Sequence, residues 1–383
     1  MRILLVTLTD ILPHALTQVL NPANDYCAIV LDDEETAKKI LANVPPLRDK
    51  VRPFYELKEC VEKFYYDVAL CICDGRFTWK IHRQLIKYGL PRTKFFHIHV
   101  GTLNFNVEKT LRYYKEHAAD FEMFATGISY TSVALDANNF KYKLFNFALS
   151  SQDLYYDYQV AKFVFSTVHG GGYEKSLVKY ALIGLAPYSF QYDLSKAYAN
   201  IFQLLKYYVA FNDVHNFWMP KEDLPKIINP KYLAIRLPSQ VADVKNVYGE
   251  RSSTVVTMDW EKHVTARENK IDDWKGRHYP DTVKENVKIL DDYLTLCENN
   301  NVRPIMFLPT MTQGYIKYFE RNTLDEFYYF VNQAQRKHHA AVFFDGWKLN
   351  FPDRDFYDAS HLNLNGAAKF SAILNNVIEQ LER

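Results

Sequence analysis

At 383 residues, 48% of them hydrophobic, the chain carries enough apolar material to core two domains, which excludes disorder over most of its length. Its 46 lysines and arginines against 45 aspartates and glutamates leave a formal charge of +1, and no basic block resembles a nucleic-acid groove. Cys27, Cys60, Cys71, Cys73 and Cys297 form no disulfide-like framework, and Cys71-Ile72-Cys73 is misspaced for a thioredoxin-like pair or a zinc knuckle, so a reducing cytoplasm is expected.

The first hundred residues alternate apolar runs with helical periods. Strands are expected at 3–7, 27–31, 68–71 and 94–99, and helices from about residue 12, at 34–41 and at 78–88. The run after Met1 meets Asp10 before a signal-peptide or membrane-spanning core could form, so it reads as a first strand. This rhythm predicts a small Rossmann-like domain over 1–104, a parallel sheet covered by helices. Thr9-Asp10-Ile11-Leu12-Pro13 lacks the glycines of a dinucleotide fingerprint, which argues against NAD. Ligands of open parallel sheets sit beyond the strand ends, where Asp74 and Arg76 could meet a carboxylate or phosphate; the competing reading makes them exposed turn residues.

A connecting helix is expected within 105–118, followed by a second α/β domain over 119–383. Its strands are expected at 121–126, 144–149, 176–185, 303–308 and 341–344. Its helices are expected at 155–167, 195–208, 282–299 and 323–337, with another at the C-terminal end. Residues 210–280, rich in Asn, Asp, Pro, His and Trp and without a clean period, read as an insertion or cap. Trp274, Arg277, His278 and Asn286 flank it and could contact a sugar or acyl donor, or simply pack. The 28 tyrosines and 26 phenylalanines could line such a pocket, although ordinary packing accounts for most aromatic residues. Gly170-Gly171-Gly172 lacks the ending of a phosphate-binding loop and reads as a turn.

Chemistry concentrates in two places. Asp358-Ala359-Ser360-His361 sets an acid and an imidazole three residues apart, so one loop could carry a base and the carboxylate that orients it. Phe124-Ala125-Thr126-Gly127-Ile128-Ser129 brings an apolar run to a glycine and then a hydroxyl, where a strand should turn, which makes Ser129 the candidate nucleophile. Asp353, Asp355 and Asp358 do not make an EF-hand, and His97-Ile98-His99 lacks a third ligand, so no metal is expected. Asn363 and Asn365 could stabilise the acid-and-imidazole loop, with Asn365 placed to cap the final helix.

Gly127-Ile128-Ser129 followed by Asp358-Ala359-Ser360-His361 resembles the SGNH, or GDSL-like, hydrolase and acyltransferase superfamily, nearest to its teichoic-acid D-alanyl-transfer-like branch, over about residues 119–383. The resemblance implies a three-layer α/β/α domain in which Ser129 is the nucleophile, His361 the base and Asp358 its support. It also implies an oxyanion held by the N–H groups of Ser129 and Ser151, the latter where the family has glycine. Ile128 replaces the family's aspartate. Leu185-Ala186-Pro187-Tyr188-Ser189 stands where an asparagine donor is usual, leaving Tyr188 or Ser189 to substitute.

The function expected on this basis is a serine-dependent acyltransferase or esterase needing no cofactor, with an acyl donor the sequence does not identify. The expected substrate is a carbohydrate-like acceptor such as a bacterial envelope or capsule precursor. An acyl carrier or biosynthetic complex would be the partner, in the cytoplasm or peripherally at the inner membrane, with no nucleic acid and no integral membrane segment. Two alternatives stand beside it: a noncatalytic ligand-binding or assembly protein on the same scaffold, and a first domain that binds a nucleotide or nucleotide-sugar through Asp74 and Arg76.

Overall fold

A computed structural model describes residues 1–30, 35, 51–53, 57–63, 65–73, 85–91, 94–99, 107–170, 177–197, 201–230 and 279–383. The chain divides into two compact units, Met1–Lys109 with Leu194–Gln240, and Thr110–Asp193 with Val241–Arg383. Each is an α/β unit built on a parallel five-stranded sheet.

In the first unit β1 (Arg2–Thr7), β2 (Asp25–Val30), β3 (Val51–Pro53), β4 (Val68–Cys73) and β5 (Phe95–His99) lie in the order β3-β2-β1-β4-β5. The run Ile3-Leu4-Leu5-Val6 is wholly buried, as expected of a central parallel strand covered on both faces. Strand β3 and helix α1 (Leu57–Lys63) were not anticipated: three residues and seven are both too few to show a period. The helix expected at 34–41 and most of the one at 78–88 lie outside the described residues.

Residues 194–230 belong to this first unit, whereas the sequence alone places them in the second domain. Their aromatic side chains explain the attachment. Phe217 stands edge-on to Phe96 at 5.7 Å, Phe202 lies 5.3 Å from the His97 ring, and the Trp218 indole N–H donates to the Phe95 carbonyl at 3.3 Å. Backbone bonds from Asn21 to Ile227 and from Asn229 to Val19 close the same unit. The helix expected over 195–208 is broken into 3-10 turns at Leu194–Lys196 and Ile201–Gln203, and only Leu204–Phe211 is α-helical.

The second unit begins within α2 (Val107–His117). Its strands β6 (Met123–Gly127), β7 (Leu144–Asn146), β8 (Tyr180–Gly184), β9 (Arg303–Leu308) and β10 (Val342–Asp345) take the order β10-β9-β8-β6-β7. Its helices include α3 (Ser129–Ala134), α4 (Leu154–Gly170), α5 (Pro280–Asn299), α6 (Arg321–Lys337) and α7 (Leu364–Gln380). Met123, Ala125, Leu182, Ile305 and Phe307 from the sheet pack with Phe370, Leu374 and Ile378 of α7. Burying each large side chain contributes roughly 1.5–3 kcal/mol.

The chain runs from β6 outward to the edge strand β7 and then back across β6 to β8. The connections therefore diverge between β6 and β8, the place where open parallel sheets leave a crevice beyond their strand ends. Gly127 and Gly184 face each other in register there. Gly127 has φ +139°, and a Cβ on it would lie 2.5 Å from Thr131 Oγ1. Glycine alone combines that backbone angle with that approach.

Candidate active site

Ser129, His361 and Asp358 meet beyond the C-terminal ends of β6 and β8. After Gly127 turns the chain out of its strand, Ile128 is the N-cap of α3 and Ser129 its first residue, half-buried. His361 Nε2 lies 3.0 Å from Ser129 Oγ. On its other side, His361 Nδ1 lies 3.0 and 2.9 Å from the two Asp358 carboxylate oxygens. Asp358 only accepts when ionised, so Nδ1 carries the proton and the Nε2 lone pair faces the serine hydroxyl. Among residues far apart in the chain, this alignment comes from the fold.

The acid-and-imidazole loop is stiff for local reasons. The Ser360 and His361 backbone N–H groups donate to Asp358 Oδ1 at 2.8 and 3.0 Å, and the buried Ser360 hydroxyl adds a third bond at 3.1 Å. Strands β11 (Phe356–Asp358) and β12 (His361–Leu362) form a small antiparallel hairpin around it. Thr312 donates through its hydroxyl, 2.7 Å, and its N–H, 3.2 Å, to the Ala359 carbonyl. Asn363, rather than Asn365, is the N-cap of α7: its side chain accepts from Gly366 N at 3.0 Å and donates to the Arg354 carbonyl at 2.7 Å. Beyond the loop, Asp355 is buried against the Lys369 ammonium at 2.7 Å, which assigns it an ion pair of the fold.

The other anticipated positions are placed unevenly. Ser151 sits in the left-handed region at φ +64°, between Leu149, whose N–H donates to the Gly127 carbonyl at 3.1 Å, and Gln152. The expected strand 144–149 accordingly stops at Asn146, because the chain must turn through this loop. The Tyr188 hydroxyl is 3.1 Å from that of Tyr130, whose ring centroid is 5.0 Å from the His361 ring. Ser189 uses its hydroxyl to accept from Ala186 N at 2.8 Å, closing a turn, and Asn286 is buried with its amide donating to the carbonyls of Ser189, Phe190 and Tyr192. Asn286 thereby shapes the segment after β8. Asp74, Arg76, Trp274, Arg277 and His278 lie outside the described residues.

An apolar and aromatic group lies beside the imidazole: Tyr130, Met311, Tyr315 and Ala359 are buried, and Tyr188, Phe319 and Trp347 pack against them half-exposed. Periodicity gave no hint of it, since its members come from four separate connections. Compared with protein-family models and with curated proteins, the chain matches none.

Proposed function

We propose that the second unit is a serine-dependent acyltransferase or esterase of SGNH type. The observation that carries the reading is the unbroken chain Ser129 Oγ, His361 Nε2, His361 Nδ1, Asp358 carboxylate, with every link between 2.9 and 3.0 Å. Ser129 attacks an ester or thioester carbonyl as His361 takes the hydroxyl proton, and Asp358 holds the imidazole and stabilises its cation. The carbonyl π electrons move to the oxygen; when they return, the leaving group departs with the proton from His361, and an acyl-Ser129 remains. His361 then removes a proton from water or from an acceptor hydroxyl, whose oxygen takes the acyl group, and returns that proton to the departing Ser129 Oγ.

The tetrahedral oxyanion would be held by the N–H groups of Ser129 and Ser151. The left-handed backbone at Ser151 supports this role, because a non-glycine residue held there stores strain of the kind found at functional sites. Tyr188, hydroxyl to hydroxyl with Tyr130, is the candidate for the missing family asparagine. The position of the site at the β6/β8 divergence, the paired motifs and the three-layer arrangement of a parallel sheet between helices support the SGNH assignment. A carbohydrate-like acceptor follows from the resemblance alone, and the parallel order of the first sheet supports its Rossmann-like reading.

The test is labelling of the intact protein with a fluorophosphonate, the adduct located by peptide mass. Wild type is expected to label at Ser129, S129A not at all, and H361A slower by about 10^4-fold or more. Folded wild-type protein that does not label would point instead to a noncatalytic ligand-binding protein on this scaffold.

A further inference from the structure

The helix that follows the Ser151 loop carries an acid that the proposed chemistry does not use. Asp157, on the first turn of α4, is buried. Its carboxyl receives two donors from different elements: the Gln152 side-chain amide at 2.6 Å, and the backbone N–H of Gly127. Gly127 is two residues before Ser129, and Gln152 immediately follows Ser151. One carboxyl therefore joins the turn that presents the nucleophile to the loop that presents the second oxyanion donor.

The surrounding bonds reinforce that linkage. The Gly127 carbonyl accepts from Leu149 N–H at 3.1 Å, so the two polar groups of this residue are held from the β7–α4 connection and from the first turn of α4. One residue earlier in β6, the Thr126 hydroxyl is 3.1 Å from the Tyr293 hydroxyl, in the interior. Burial pushes the Asp157 carboxyl well above the usual carboxylate range, opposed by the Gln152 bond, with the nearby Asp153 raising it further and the Gly127 N–H lowering it. A buried acid is expensive to keep, and an apolar side chain on this helix face would serve packing better. Its two donors account for the choice, since the carboxyl offers a buried acceptor to each.

We propose that Asp157 is a positioning residue: its carboxyl sets the separation between Ser129 and the Ser151 N–H by gripping Gly127 and Gln152 together. It touches neither the acyl group nor the reacting atoms. The proposal rests on the acyl-transfer reading of the same site. Gly127 leaves its strand at φ +139°, so loss of the grip lets the turn relax and swings the hydroxyl away from the imidazole and the oxyanion donors together. A displacement of about 1 Å is enough to cost on the order of 100-fold in rate.

The experiment compares fluorophosphonate inactivation of the full-length wild type, D157V, D157N and Q152L, resolving the maximal rate from the half-saturating concentration, with thermal melting alongside. D157V, close in volume but without an acceptor, is expected to lower the maximal rate by about 10- to 100-fold at an unchanged half-saturating concentration. D157N keeps one oxygen for the Gly127 N–H, and the Gln152 amide can turn its own oxygen toward the new NH2, so it should stay within about threefold of wild type. Should D157V lose its cooperative melt, Q152L carries the test, with an expected loss of about tenfold.

Wild-type rates in D157V, or in Q152L where D157V does not fold, would overturn the positioning role and leave Ser129 as nucleophile. Equal losses in D157N and D157V would also overturn it, since the acceptor would then not be what matters. Wild type that fails to label at Ser129 would remove the acyl-transfer reading and this proposal with it.

Discussion

Gly127 is the residue on which the geometry of the serine depends. Its positive φ takes the chain from strand to helix within two residues, and the absent Cβ leaves room for Thr131 Oγ1. G127A should combine backbone strain with overpacking and cost about 2–4 kcal/mol, read as a lower urea midpoint at constant slope. Had the glycine been a mere spacer, the midpoint would not move. Much at this scale was legible beforehand. Asp358 and His361 share one loop, so their pairing is local, and a glycine before a serine at a strand end marks a turn. Asp157 was not legible: an acid on the first turn of a helix is ordinary N-terminal chemistry, and only packing reveals which way it points.

Helix α7 shows how an element carries the site. Asn363 caps it, and the same side chain reaches back to the carbonyls of Arg354 and Phe356, so the start of the helix and the loop bearing Asp358 and His361 are tied together. N363A is expected to destabilise the protein by about 1–2 kcal/mol in chemical denaturation and to slow fluorophosphonate labelling as well. N365A, one position past the first helical residue, should do neither, and equal effects of the two would contradict the cap assignment. Two asparagines stand two residues apart, either able to cap, and the sequence points to Asn365. The choice falls to Asn363 because its backbone is extended, at ψ −177°, and its side chain faces the Gly366 N–H.

At the scale of the molecule, each unit holds its own parallel sheet, and the second is also fastened near the end of the chain. Glu382 accepts from Lys141 Nζ at 2.7 Å, from the Tyr142 hydroxyl and from the Tyr180 hydroxyl at 3.1 Å, joining the segment after α7 to the beginnings of β7 and β8. The Lys141 bond, then that of Tyr142, holds the Glu382 carboxyl at about 2, against an unfolded value near 4.3. A carboxyl depressed in the folded state stabilises above the unfolded value, and that contribution fades as pH falls from about 4.3 to about 2. Thermal melts of wild type and E382Q should therefore differ most near neutral pH and converge toward pH 2; a gap that stayed constant with pH would exclude the linkage. No described helix is long and apolar enough to cross a membrane.

The division of the chain separates what the residues determined by themselves from what folding decided. Apolar runs and helical periods are properties of neighbouring residues, and they sufficed for two α/β units and for most of the strands, with 303–308 matching β9 residue for residue. The acid-and-imidazole loop and the glycine before Ser129 were local in the same sense. Nothing local assigns 194–230 to the first unit, because that choice rests on Phe202, Phe217 and Trp218 finding β5 about a hundred residues away. The 3.0 Å approach of His361 to Ser129, and the grip of Asp157 on Gly127, belong to the tertiary structure alone, since hydrogen-bond geometry is set where strand order and helix packing bring distant peptides together.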